Sequence, residues 1–127
     1  MTDTLVLVPG PDHPITVEPT AARVIVRLGG RVVADSQDAL TLTEASYPPV
    51  QYVPLADVDE SLLVPSSHTS YCPYKGAAAY FDLRVGDETA RAAVWTYRDP
   101  YDAVGQVKEH VAFFPDRVDA IEVHRER

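Results

Sequence analysis

One cysteine, Cys72, one methionine and one tryptophan stand in a chain of 127 residues. A lone cysteine excludes an intramolecular disulfide and a cysteine-rich zinc site. It fits a reducing compartment, so a cytoplasmic location is expected. Cations are also scarce: eleven Lys plus Arg face nineteen Asp plus Glu, for a formal net charge of −8. The basic residues are scattered apart from the short run at 124–127. A phosphate backbone would be repelled, and nucleic acid is not an expected partner. Long apolar runs are missing. The start, MTDTLVLVPG, has no basic region and only a brief apolar stretch, too short for a signal peptide or a membrane span, so no membrane partner is expected. There is no internal repeat, no low-complexity tract and no break in composition, which predicts a single domain over 1–127.

What the chain does have is proline, eleven in all, and hydrophobic residues at 46%, many of them valine. With the threonines these read as short strands cut by turns, and no long helical period appears. Strands are expected at 4–8, 15–18, 23–28, 31–35, 39–44, 78–85, 88–97, 112–114 and 118–124. Gly29-Gly30 tolerates positive φ at both positions of a two-residue turn and should fold 23–28 back on 31–35. A Gly86-Asp87 turn would set Leu83 opposite Ala90, Phe81 opposite Ala92 and Ala79 opposite Val94, a wholly apolar core face. The other face would pair Asp82 with Arg91 as an ion pair, Tyr80 with Ala93 and Ala78 with Trp95. One short helix near 100–110 is expected: Asp99 can cap it, Pro100 suits its first position, and Val104, Val107 and Val111 share a side.

The segment 68–76, HTSYCPYKG, carries the densest chemistry. It enters the strand that bears Tyr80, so Tyr80, Trp95 and Tyr97 form an aromatic surface beside Lys75 on the face away from the main core, either as a site or as a second small core. His68 and Cys72 can meet only if the segment turns, and Pro73 pushes Cys72 towards the extended region. Lys75 before Gly76 suits an anion, although the P-loop pattern is absent. Metal binding needs three or four convergent ligands; Cys72, His68, His13, His110 and His124 are the right types, yet no paired spacing marks them, and neither a metal nor a cofactor is expected. In the strand 39–44, Leu40, Leu42 and Glu44 point to one side. Glu44 must then sit at a rim, be paired, or have a raised pKa, unless the strand stops at Thr43 and the carboxylate is solvated. The prolines of SYPPVQY make a rigid extended segment that directs Tyr52 and could wall a pocket.

The order GGRVVADS, Glu44 then YPPVQY, an acidic stretch at 57–63, HTSYCPYKG, VWTYRDPY and VAFFPDRVD resembles the bacterial family known as domain of unknown function 427, from about His13 to His124. The resemblance implies a mainly β fold: a small curved two-sheet domain of the β-tent, Mss4-like type. Relatives of that architecture include methionine sulfoxide reductases, a GTPase-associated zinc protein and ligand-binding domains with aromatic cages. Many hold zinc through two Cys-x-x-Cys pairs, which this chain lacks. The family also bears a nucleotidyltransferase-like label, but no Gly-Ser turn followed by a strand-borne Asp-x-Asp is present for that metal-dependent chemistry. The family's recurrent polar and aromatic positions match Glu44, Tyr52, His68, Cys72, Lys75, Tyr80, Trp95, Tyr97 and Asp99.

Three functions follow as expectations. The first is a domain binding a small molecule or a modified residue in a cleft walled by Tyr52, Tyr80, Trp95 and Tyr97, with Glu44, His68 and Lys75 as polar fixtures and Cys72 nearby. The second is an enzyme with Glu44 or His68 as acid or base, Cys72 as nucleophile and Lys75 holding an anion. The third is a structural or dimerising module using a sheet edge, so the chain is expected as a monomer or a homodimer.

Overall fold

The computed structural model describes residues 4–125. Ten strands form two antiparallel sheets: β1 Ile15–Pro19, β2 Arg23–Leu28, β3 Arg31–Ser36, β4 Leu40–Glu44, β5 Val50–Pro54, β6 Leu63–Cys72, β7 Gly76–Val85, β8 Glu88–Thr96, β9 His110–Phe113 and β10 Ala120–His124. The larger sheet runs β1-β4-β5-β9-β8-β7-β6, and the smaller β10-β2-β3. Alternation along the strands sends side chains to two faces. Val53, Val94, Val111 and Phe113 join Val24, Val26, Leu28 and Val33 of the smaller sheet in the main core. Tyr52, Ala112 and Tyr97 point the other way and form a second cluster with Leu42, Ala78, Val104 and Val107. The protein is thus mainly β, as expected, with an aromatic face on the far side of the larger sheet.

The Gly29-Gly30 turn is as predicted, with Leu28 opposite Arg31 and φ of 60° and 77° at the two glycines. The second hairpin keeps Leu83 opposite Ala90 but then slips: Phe81 faces Val94, Tyr80 faces Trp95 and Ala79 faces Thr96. Arg91, Ala92 and Ala93 all lie across from Asp82, and Ala92 has φ of 48°. The expected Asp82–Arg91 ion pair is not made. Instead the Asp82 carboxylate accepts the Ala92 amide at 2.7 Å, which satisfies a donor that the bulge takes out of the ladder. The slip is two residues, one full pleat period, so the apolar face stays inward while Tyr80 and Trp95 become direct neighbours.

Other departures have local causes. Residues 4–8 are not a strand; the Leu7 amide donates to the Pro73 carbonyl at 2.9 Å, and Leu5, Val6 and Val8 stay exposed. The helix near 100–110 is a 3-10 helix, Asp102–Val107, broken at Val104 (φ −127°, ψ 26°); Gly105 at its centre does not favour a continuous α-helical ladder. It still buries Val104 and Val107. β6, where no strand is expected from the sequence, forms the sheet's edge.

Candidate functional site

β4 runs through Glu44, so this carboxylate shares a side with buried Leu42, and its side chain is 14% exposed. Pairing with β1 sets Ile15 opposite Glu44. His13, just before β1, then reaches Glu44 Oε2 through Nε2 at 2.7 Å, with its ring stacked on Tyr74 at 4.1 Å. The other carboxylate oxygen, Oε1, accepts Lys75 Nζ. Of the alternatives open to a carboxylate on a core-facing side, Glu44 takes pairing: partial burial raises its pKa, but the hydrogen bonds from Lys75 and His13 outweigh that and hold it below the usual value.

Lys75 is delivered by the tight turn between β6 and β7. Its amide donates to the Cys72 carbonyl at 3.2 Å, and its own carbonyl accepts the Tyr101 amide at 3.0 Å. Gly76 follows with φ of 112°, and a Cβ there would stand 3.3 Å from the Asp99 carbonyl oxygen. Glycine is therefore what allows the CPYKG turn and the Asp99-Pro100-Tyr101 backbone to pack together. The consequence is an ammonium whose side chain is only 12% exposed, lying 6.0 Å from the centre of the Tyr97 ring.

Around this ion pair the aromatic face opens into a cleft of about 160 Å³, walled by Tyr47, Tyr52, Tyr80, Trp95, Tyr97 and Phe114 and floored by Leu42, Glu44 and Lys75. The walls brace one another. Trp95 Nε1 donates to the Tyr52 hydroxyl at 3.1 Å, the Trp95 and Phe114 rings are 4.4 Å apart, and Tyr80 lies parallel to Phe114 at 6.4 Å. The Arg117 guanidinium covers Phe114 at 4.8 Å and donates to the Ala92 carbonyl at 3.0 Å, so the β8 bulge and the cleft wall are fixed by one side chain. Burial pushes the Tyr52 phenol up to about 12 and raises that of Tyr97 further.

Of the expected site residues, Glu44, Tyr52, Lys75, Tyr80, Trp95 and Tyr97 converge on this cleft. His68 and Cys72 do not line it. Both lie on β6, where extended chain separates residues four apart by about 13 Å. The His68 and Tyr80 ring centres lie 4.4 Å apart with the planes inclined at 62°, beside the hydrogen bond between the Ser70 and Tyr80 hydroxyls. Cys72 is half-buried against the second cluster. Asp99 is exposed and contributes its backbone carbonyl beside Gly76. Among the described residues no three His, Cys, Asp or Glu side chains converge as a metal site, and no helix is long and apolar enough to cross a membrane.

Three participants fall outside the expected cleft residues: Tyr47, carried by the proline-rich segment expected as a pocket wall, Phe114 and His13. Phe114 was legible by parity, because Phe113 is buried in the main core and its neighbour must point to the aromatic face. His13 had no local signal, since only the β1–β4 pairing across 31 positions brings it to Glu44.

The fold and cleft define a small two-sheet antiparallel β protein with a ring-walled cleft over a carboxylate–ammonium pair. A family model described as a domain of unknown function, DUF427, matches residues 16–124, and the chain belongs to that family. No curated protein matches it by sequence.

Proposed function

We propose that the protein binds a small molecule, or a modified side chain of a larger partner, in the cleft above Glu44 and Lys75. The observation that carries this is the combination of rigid aromatic walls with a largely buried ion pair at the floor, the usual make-up of a ligand site: an apolar lining and a few fixed polar groups. The volume, about 160 Å³, is close to that of a protein cavity that takes up benzene, roughly 150 Å³. The group that enters is accordingly the size of a single ring.

An acid–base enzyme is the second reading, and the Glu44 carboxylate bridging His13 and Lys75 is what favours it. It is the weaker one, because both oxygens are engaged and His68 and Cys72 stand apart from the pair.

A thermal-shift screen with ring-sized fragments, on the parent and on Tyr47→Ala, tests the binding reading. Tyr47 lines the cleft yet is 62% exposed, so its removal should leave the free protein's melting temperature nearly unchanged while the ligand-induced shift drops. A ligand at a hundred times its Kd stabilises by about 2.7 kcal/mol, well within reach of the assay. A library without stabilising fragments, or shifts indifferent to Tyr47→Ala, would count against the proposal.

A further inference from the structure

Resting on that reading of the cleft, we propose that the ligand's polar end is a neutral hydrogen-bond acceptor, a carbonyl or ring nitrogen on a ring-sized group, and neither a cation nor a carboxylate. The cleft floor is lopsided in donors. Glu44, the one acidic side chain lining it among the described residues, has Oε1 taken by Lys75 and Oε2 by His13. Each oxygen keeps one further acceptor site, but the carboxylate's charge is already shared between two donors. Lys75 carries three N–H bonds and gives one to Glu44; no other acceptor among the described residues takes the rest.

Tyr97 adds a second donor. The residue is 6% exposed, and its hydroxyl has no hydrogen-bond partner among the described residues. No fully buried side-chain nitrogen or oxygen there lacks a partner, so this oxygen is not fully enclosed, and the cleft is a space that Tyr97 lines. A third donor is the Tyr52 hydroxyl, which accepts from Trp95 and retains its own hydrogen. Both phenols are protonated at neutral pH, and burial raises them further. Three donors therefore have no acceptor within the described protein, and a ligand acceptor entering the cleft takes the place of water on them.

The charge balance selects among acceptors. Aromatic walls beside a carboxylate would ordinarily suit a cation, but the protein already supplies one: Lys75 is paired with Glu44 and lies over the Tyr97 ring. A carboxylate ligand would place a second anion beside Glu44, with a single ammonium to serve both. A neutral acceptor meets Lys75 and Tyr97 without either conflict.

Trp95 is the only tryptophan and stands in the cleft wall, so its fluorescence reports occupancy. Titrating the protein with toluene, benzamide, benzoate and benzylammonium holds the ring constant while changing the polar end. Benzamide should bind tightest, by about fivefold or more over the others, the size of one net hydrogen bond. Tyr97→Phe should weaken benzamide about fivefold and leave toluene unchanged, the latter showing that the cleft is intact. Tighter binding of benzoate or benzylammonium, toluene equal to benzamide, or no effect of Tyr97→Phe on benzamide would overturn the acceptor assignment while leaving a cleft that binds. Silence from all four probes would instead overturn the binding reading on which it rests.

Discussion

Replacing Lys75 with methionine keeps an unbranched apolar stem, one atom shorter, and removes the ammonium that Glu44 faces. Exposed ion pairs are worth about 0–1 kcal/mol, whereas stripping one partner from a fully buried pair costs about 3–5 kcal/mol. Here the two side chains are 12% and 14% exposed, but the cleft admits water and His13 still reaches Glu44. A loss of about 2 kcal/mol follows, between those limits, or a drop in Tm of roughly 6–8 °C for a chain of this size. The sign of the pH dependence follows from Glu44. Its folded pKa lies below the ordinary 4.5, so the stabilisation is complete above pH 4.5 and fades as pH falls through the lower, folded value. Urea denaturation followed by circular dichroism should show the full gap between parent and Lys75→Met at pH 7, shrinking as the pH falls below 4.5. The double variant Glu44→Gln/Lys75→Met should recover most of the loss, since no unpaired charge remains. A Lys75→Met protein within 0.5 kcal/mol of the parent at pH 7 (about the usual scatter for surface changes), or a gap that acid leaves unchanged, would refute the argument.

Gly76→Ala should cost about 2 kcal/mol or more, because φ of 112° and the nearby Asp99 carbonyl add strain to crowding; the melting temperature reads this directly. Asp82→Ala should cost about 1–2 kcal/mol by orphaning the Ala92 amide and speed hydrogen exchange there, while Arg91→Ala should stay within about 0.5 kcal/mol because no ion pair is lost. Equal losses at the two positions would restore the regular hairpin register. Alkaline pH should act through Tyr52: its phenol is raised from 10.0 to about 12, so its contribution to stability is intact below pH 10 and lost as pH climbs towards 12. Absorbance at the tyrosinate band should show Tyr52 ionising late, and a titration with all seven tyrosines near pH 10 would contradict its burial.

Parts of this structure were readable from pattern, and the limits have physical reasons. Glu44 was legible because strand parity tied it to Leu40 and Leu42, and Lys75 because a glycine follows it. Gly29-Gly30 fixed one hairpin, since the glycines admit the left-handed backbone that a two-residue turn requires. By contrast, the β8 bulge hides in Arg91-Ala92-Ala93, where an alanine adopts positive φ held by the side chains of Asp82 and Arg117, both distant in sequence. β6 was missed because it is an edge strand with little to bury: Ser67, His68, Thr69, Ser70 and Tyr71 are all exposed, leaving no alternation to detect. The stretch 4–8 misled in the opposite sense, being apolar and β-branched yet without a strand partner. His13 joined the site through long-range pairing, which local pattern cannot show.

Chemical-shift mapping with a ring-sized fragment on the isotope-labelled protein tests the cleft most directly. Shifts should concentrate on Leu42, Val50, Tyr52 and the Trp95 indole and weaken in Tyr47→Ala. Shifts gathered instead in the groove between Val6–Pro9 and Tyr101, or on Pro49, Pro115 and Ile121, would contradict it.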